Sequence, residues 1–459
     1  MKKQNKIVFL NLLSTILIQG INFLSSPIFS RLLGTNNYGV LTVYNTWVSI
    51  FSAVLTLQAA STLGIARSSF SEEEQSGYQS SVIFLASIVY LVFSIAILLV
   101  VGLFVKSINF QLLCLALAQG LSVYIITTVN SKFSFEFKAE RNFILALTSS
   151  VLNMGLSLYL VTVFPSSTNY MGKILGQVIG DTLIAILLYF YVMHEGKTFI
   201  NTKYWKFSLP IAIPTIFHIL ANLLLNQSDR LMLQRMVDNS TVGIYGLAAT
   251  LAHVLIVIYG ALNNSWVPFY YEYSRLHQTD QIKIHSKNYA ELFTVITCGF
   301  ILLCPEVFHI YASPEYWGGT VLLPIFAVGE LFVFLYSFPV NYEFYHKKTN
   351  IIAVGTMLAA VCNIVLNYFL IKVLGILGAV IATAIAHFLQ FMFHFYRAKT
   401  LIEGEFPYTI KMFLPNIAVV IGIAIITIAI PGIGVLRWIL GIMMGIYMLL
   451  KMYKRRSFF

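Results

Sequence analysis

Runs of about 20 apolar residues, the length an α-helix needs to cross a hydrocarbon layer of roughly 30 Å, recur along almost the whole chain with short polar breaks between them. The stretch "SIVYLVFSIAILLVVGLFV" (87–105) is typical, and it does not alternate apolar with polar residues. A membrane β-barrel is written in alternating segments of about 10 residues, so the pattern excludes a barrel and specifies a helical bundle. Composition agrees, since 58% of the 459 residues are hydrophobic and only 10% are charged, against about 25% charged in a soluble domain. The chain reads as an all-α polytopic membrane protein.

Breaking the sequence at polar and turn-forming clusters gives fourteen candidate transmembrane helices, near 7–33, 38–66, 79–104, 111–131, 143–164, 173–194, 208–236, 243–267, 287–311, 319–343, 350–371, 377–396, 412–431 and 435–450. The opening "MKKQNKIVFLNLLSTILIQG" has the basic flank of a signal peptide, but its apolar stretch continues to Leu33 without a small-residue cleavage site. It therefore reads as an uncleaved first helix. Cys114, Cys298, Cys304 and Cys362 fall in or beside spans without metal-ligand spacing, and read as small packing residues.

The net charge of +11 reports topology here rather than nucleic-acid binding, because basic residues of membrane proteins accumulate on the cytoplasmic side. With the N-terminus inside, all of the 29 Lys and Arg except Arg31, Lys106, Lys173, Arg230, Arg235, Lys372 and Arg437 fall on that side. Both termini are predicted cytoplasmic. The outer loops are short ("GTNN", "VDNST", "ASPEYWG") and the inner ones longer and charged, as in "YYEYSRLHQTDQIKIHSK" (270–287), so no loop has room for a folded catalytic domain.

An offset of 204 positions aligns "INFLSSPIFSRLLGTNNYGV" (21–40) with "LNQSDRLMLQRMVDNSTVGI" (225–244), pairing Asn22 with Asn226, Arg31 with Arg235 and Gly39 with Gly243. A similar offset brings "GQVIGDTLIAILLYFY" (176–191) near "GAVIATAIAHFLQFMFHFY" (378–396). The expectation is two pseudo-symmetric six-helix lobes, 1–194 and 208–397, joined by a basic cytoplasmic linker, 195–207. Residues 398–459 would add two further helices and a basic tail. An even number of spans per half gives both the same orientation, as in transporters built from parallel repeats.

The chain has no G-x-x-x-x-G-K-[ST], H-E-x-x-H or G-x-S-x-G motif, so neither an ATP-driven pump nor a hydrolase is indicated, and no cofactor is expected. What stands out is polarity inside spans, where charge is costly and faces a bundle interior or a wet cavity. The charged candidates are Arg31, Asp181, Asp229, Arg230, Arg235, Glu330 and Glu343, with His218, His253, His387 and His394 beside them and many amides. Each has a structural explanation. Arg31 and Arg235 end long spans and can snorkel to headgroups. Asp229 and Arg230 can form a structural ion pair, and Asn363 and Asn367, one turn apart, can join helices. His218 suits a packing role. Glu343, beside His346, Lys347 and Lys348, needs only solvation.

At "PIFSRLLGTNNYGVLTVYNTW" (27–47), "LPIAIPTIFHILANLLLNQSDRLMLQRMVDNSTVGIYGLA" (209–248) and "YWGGTVLLPIFAVGELFVFLYSFPVNYEFYHKKTNIIAVGTMLAAVCNIVLNYFLIKVLGILGAVIAT" (316–383), the sequence resembles the bacterial polysaccharide flippases. These belong to the superfamily that also holds multidrug antiporters and the lipid II flippase. The resemblance implies two six-helix lobes alternating between inward-open and outward-open states. It implies as cargo an undecaprenyl-diphosphate-linked oligosaccharide, moved from the inner to the outer leaflet for capsule, O-antigen or exopolysaccharide synthesis. Membrane lipids, H+ or Na+, and a polysaccharide polymerase are the other expected partners, and no nucleic acid.

On this reading Arg31, Arg235 and Arg230 meet the diphosphate, because an arginine fork matches its oxygens. Asn22, Asn222, Asn226 and Gln227 contact the glycan, whose hydroxyls need a wet, amide-lined path. Asp229 and Asp181 serve ion coupling or gating, with Asp229 and Arg230 as a switchable pair near the outer gate. A cation- or proton-coupled multidrug antiporter of the same fold is the alternative; it favours an acidic cavity with few arginines. A glycan polymerase would need a sizeable basic outer loop, and a purely structural scaffold leaves the intramembrane charge unexplained.

Overall fold

The computed structural model describes residues 2–105, 108–402, 406–430, 432 and 434–455, and the side chains of these except 2–19, 22 and 455. Fifteen α-helices follow one another: α1 (Lys2–Val54), α2 (Leu63–Ser69), α3 (Glu72–Phe104), α4 (Phe110–Phe135), α5 (Ala139–Val163), α6 (Asn169–Gly196), α7 (Thr202–Met236) and α8 (Asn239–Ala252). Then come α9 (Val254–Arg275), α10 (Thr279–Tyr311), α11 (Leu322–Tyr345), α12 (Thr349–Leu374), α13 (Ile376–Lys399), α14 (Ile410–Ala429) and α15 (Gly434–Arg455). No strand occurs among the described residues. Twelve helical stretches among them are long and apolar enough to cross a membrane, and the bent pair Phe23–Val54 with Ala59–Ser69 makes a thirteenth.

Each of the fourteen expected spans falls on this series. The first lies in α1, and the second begins there and continues past a bend into α2; between them Gly34 breaks α1 with φ 69 and ψ 172, a positive φ that glycine adopts without steric cost. The span expected at 243–267 is divided between α8 and α9. Prolines sit inside α1, α7, α9, α10, α11 and α14, as membrane helices allow where neighbours re-satisfy the freed carbonyls. Polar caps start several helices: Ser71 and Glu74 form a reciprocal capping box at α3, and Asp238 accepts from the Thr241 N–H at α8.

The chain divides into two compact units, Met1–Leu223 and Leu224–Phe459, with the division inside α7. Within the first, α6 lies against α5 because Gly172, Gly176 and Gly180 recur every fourth residue. A Cβ on these would strike the Leu160 carbonyl, the Ser157 backbone and the Asn153 side chain, respectively. Small residues at this spacing allow close helix approach where no hydrophobic force drives association. Within the second unit Gly378 meets the Leu370 carbonyl in the same way, and Ala382 and Ala386 continue the stripe. The internal repeat thus pairs Gly172 with Gly378, one helical turn away from the sequence alignment of Gly176 with Gly378.

The basic end of the first unit holds a charge network. Lys132, with 1% of its side chain exposed, pairs with Glu195 of α6 and lies 3.4 Å from Glu136. It also donates to Gln79 of α3 at 2.6 Å. The segment after α6 is tied down as well, since Ser80 and Ser81 donate to the Thr198 and Phe199 carbonyls and Trp205 donates to Ser81. The expected linker is therefore docked along α3.

In the second unit the core is aromatic. Phe293 stacks on Phe334 at 4.2 Å, and Phe413 of α14 packs on Phe338 of α11 at 5.0 Å. The last two helices are pinned to α10 by polar contacts: Asn416 donates to Thr294 at 2.8 Å, Arg437 pairs with Glu306, and Lys451 pairs with Glu291. Cys298 and Cys304 are free thiols in this core.

Glu136 gives the first unit a pH signature. Burial raises its carboxyl, but the Lys138 hydrogen bond and the Lys132 and Lys138 charges outweigh this and hold it below the usual carboxylate range. A carboxyl lowered on folding adds stability above its unfolded pKa, and that stability is lost as pH falls through the folded value. Thermal stability in detergent is expected to drop on acidification into and below the carboxylate range, with Glu136→Gln flattening the drop. Lys132→Met is expected to cost about 3 kcal/mol, the low end for breaking a buried pair, because Glu195 keeps 32% of its side chain exposed. Melting temperatures of the two variants against wild type across pH check both.

Candidate functional site

The second unit contains a cavity of about 310 Å³ bounded by one face from each of four helical segments. α7 contributes Asn226, Gln227, Asp229 and Arg230; α8 and the residue after it contribute Tyr245, Ala249, Thr250 and His253. α11 brings Phe326, Gly329 and Glu330, and α13 brings Val380, Thr383, Ala384 and His387. These spacings of three and four residues are those of side chains that share a helix face. Asn226 and His253 are exposed while Asp229 and His387 are buried, so the cavity runs from the surface into the unit.

Asp229 is 2% exposed. Its Oδ2 accepts hydrogen bonds from the Tyr245 hydroxyl and, at 3.1 Å, from the Thr383 hydroxyl. Behind it Asn363 of α12 donates to Thr383 at 3.1 Å and accepts from Ser228 and Asn367 at 3.0 and 2.9 Å. Asn363 thus joins α12 to α7 and α13, while Asn367 bonds to it within α12. Two atoms at the cavity remain without a partner among the described residues: Asp229 Oδ1 and Arg230 Nε, both buried. Arg230 is close enough to act on the carboxylate electrostatically, yet the hydrogen bonds to Asp229 come from neutral hydroxyls.

The other expected site residues lie elsewhere. Arg235, in the last turn of α7, is exposed and lies outside the cavity lining. Asn222 turns one helical turn back, its amide 3.2 Å from both the ring and the carbonyl of His218. Arg31 is an exposed residue of α1, and the Asn22 side chain lies outside the described residues.

Asp181 anchors a separate cluster in the first unit. It accepts from Gln119 at 2.8 Å and from Asn153 at 2.6 Å, and Gln119 accepts from the Tyr44 hydroxyl at 2.7 Å. Lys173, on the same helix, is buried with its ammonium 3.8 Å from the centre of the Phe29 ring. Both Asp181 oxygens are therefore bonded, each to an amide.

The expectation for Glu343 is overturned. Far from being solvated, it is 0% exposed, and its Oε2 lies 2.7 Å from Nδ1 of His394, also 0% exposed. The basic residues that follow it in sequence lie in the turn beyond α11, whereas the carboxylate points back among packed helices. Tyr245 and Thr383 had no signal as site residues, since one resembles a core aromatic and the other is 154 positions from Asp229. Glu330 and His387 were visible as intramembrane polarity, but only the folded unit brings them to one cavity.

Removing the Tyr245 hydroxyl deletes a donor to a buried carboxylate, so Tyr245→Phe is expected to destabilise the protein by about 1.5–3 kcal/mol. In an Asp229→Asn background the same change should cost less, because the partner is no longer an anion. A double-mutant cycle on detergent-solubilised protein, read as melting temperature, measures the difference.

Two solved structures with this fold are, by their titles, a flippase and a transporter. A lipid II flippase, MurJ, in an inward closed conformation aligns with a TM-score of 0.72 over 98% of this chain and 99% of its own, at 16% identity. An inward-facing multidrug resistance transporter of the MATE family aligns with a TM-score of 0.60 over 86% of this chain and 98% of its own, at 12% identity. Among curated proteins, a Lsg locus protein of Haemophilus influenzae is 23% identical over 393 residues, covering 81% of this chain and 93% of that protein. The model of the family described as polysaccharide biosynthesis protein matches residues 5–274, more than half of the chain, and the chain belongs to that family.

Proposed function

We propose that this protein is a flippase that carries undecaprenyl-diphosphate-linked oligosaccharide repeat units from the inner to the outer leaflet of the bacterial cytoplasmic membrane by alternating access. The observation that carries the reading is the cavity at Asp229 and Arg230, a partly unsatisfied charge site that opens to the surface within a membrane-spanning helical unit. Membership of a polysaccharide biosynthesis family and a fold in common with a lipid flippase support it. Both termini are cytoplasmic on this reading, following the distribution of Lys and Arg. With the cytoplasm negative, outward movement of an anionic diphosphate is favourable by roughly 2.3 kcal/mol per elementary charge per 100 mV.

Arg230 is the leading diphosphate contact because its guanidinium lines the cavity with a donor to spare. Arg31 and Arg235, exposed on their helices, suit capture of the headgroup at the surface. Asn226 and Gln227 are the amides positioned to meet sugar hydroxyls. Asp229 is the better coupling carboxylate than Asp181, since one of its oxygens is unpartnered whereas both of Asp181 are bonded. A polymerase acting on the flipped unit is the downstream partner.

The balance of charge at the cavity, Asp229 and Glu330 against Arg230, favours a second reading, cation-coupled drug antiport. Export measurements separate the two. In a deletion strain complemented with Arg230→Ala, surface glycan is expected to fall about 10-fold or more, as for a charged hydrogen bond of about 1.5–3 kcal/mol, with lipid-linked intermediates accumulating at the cytoplasmic leaflet. Arg31→Ala with Arg235→Ala should reduce export further. Undiminished glycan at normal protein levels, together with altered resistance to cationic drugs, would establish the antiporter instead.

A further inference from the structure

Glu343 of α11 and His394 of α13 form an acid–base pair sealed inside the second unit. Room for the imidazole comes from Gly355 of α12, where a Cβ would collide with His394 Nε2. The Tyr336 ring packs edge-on against it at 5.0 Å. Two atoms of the pair, Glu343 Oε1 and His394 Nε2, are buried without a partner among the described residues. Such vacancies cost desolvation energy. Here they leave one carboxylate oxygen and one ring nitrogen open to a proton, which the Arg437–Glu306 pair, with buried vacancies at Glu306 Oε2 and Arg437 Nε, cannot offer because its guanidinium keeps its protons.

The pair is linked to the cavity by one face of α13. Thr383, His387, Gln390 and His394 follow one another at steps of four, three and four residues, so they lie in a row along the helix. Thr383 holds Asp229, His387 lines the cavity, and His387 Nδ1 lies 3.5 Å from Gln390 Oε1. The row spans eleven residues, roughly 16 Å at 1.5 Å per residue, and it is polar throughout in a helix whose other neighbours are apolar.

With one proton between them the two groups are neutral overall, as imidazolium and carboxylate or as imidazole and carboxylic acid. Losing that proton leaves a buried anion, and gaining a second leaves a buried cation, each costing several kcal/mol in a sealed site. The pair therefore keeps one proton while closed and can release it only when water reaches it. Lys347 and Lys348 after α11 and Arg397 on α13 are the charged residues nearest the pair along its two helices. The phenols of Tyr336, Tyr342, Tyr259 and Tyr408 on the surrounding segments are neutral and do not compete, and Glu291 of α10 is held by Lys451.

We propose that Glu343 and His394 share one exchangeable proton and form a proton site, separate from the Asp229 cavity, through which the second unit couples proton movement to transport. The inference rests on the transporter reading above and names the proton as the coupling ion. Infrared difference spectra of the purified full chain, taken between mildly acidic and mildly alkaline solution, test it. The wild type is expected to show a carboxyl band change that Glu343→Gln abolishes and that His394→Gln abolishes or shifts, because the proton is shared. The double variant E343Q/H394Q, two neutral amides in place of the pair, supplies the silent control if a single variant does not fold. Asp229→Asn is expected to move the midpoint of the band.

A wild-type band surviving unchanged in folded E343Q overturns the site, and a midpoint indifferent to Asp229→Asn overturns the coupling. The measurement uses no glycan, so its failure leaves the flippase reading standing. Normal surface glycan in a deletion strain, conversely, removes the flippase reading and leaves the proton site in place.

Discussion

A charge drawn into hydrocarbon has no water to turn to, so every buried ionic group must find its hydrogen bonds within the protein. That constraint organises both units. Lys132 is surrounded by Glu136, Glu195 and Gln79, and Asp181 by Gln119 and Asn153. Each set draws its members from different helices, so satisfying the charge also fixes how those helices sit. The apolar residues then pack what the polar contacts have aligned. Satisfaction is incomplete at Asp229, Arg230, Glu343 and His394, and also at Glu306 and Arg437, and each such atom carries a desolvation cost that packing does not offset.

The helices were legible because hydrocarbon thickness sets their length and apolar composition marks them. The break inside α1 was also visible as a polar interruption, and Gly34 supplies its geometry. Asp229 and Arg230 were conspicuous as charges in an apolar run. Their surroundings were not, because Tyr245 and Thr383 come from two other helices and carry no mark that separates them from core residues, and only the fold brings the conspicuous Glu330 beside them. The same limit hid Lys132 with Glu195, 63 positions apart. Glu343 was misplaced for a related reason: sequence neighbours report a helix end, while burial depends on which side of that end the side chain takes.

The repeat shows which parts of the design are shared. Asn153 reaches from α5 to Asp181 on α6, and Asn363 reaches from α12 to Thr383 on α13. Leu160 and Leu370, each seven residues further on, receive Gly172 and Gly378. One amide and one close glycine contact therefore define the same helix pair in each unit. The carboxylate is not shared, since it stands on the last helix of the pair in the first unit and on α7 in the second.

That exchange has a physical consequence. In the first unit the carboxylate lies on the helix that the amide grips, and both of its oxygens are taken by amide donors. In the second, Thr383 stands between amide and carboxylate, so Asp229 is held through hydroxyls on one oxygen and keeps the other for the cavity. A hydroxyl can turn its proton elsewhere, as the Ala379 carbonyl 3.1 Å from the Thr383 hydroxyl illustrates, whereas an amide N–H has a fixed direction. The second unit is thus built to let its acid change partners at low cost. A ligand or proton that binds two states of a protein differently is what shifts the balance between them, and an acid with an open oxygen and a rotatable donor has the means to do so.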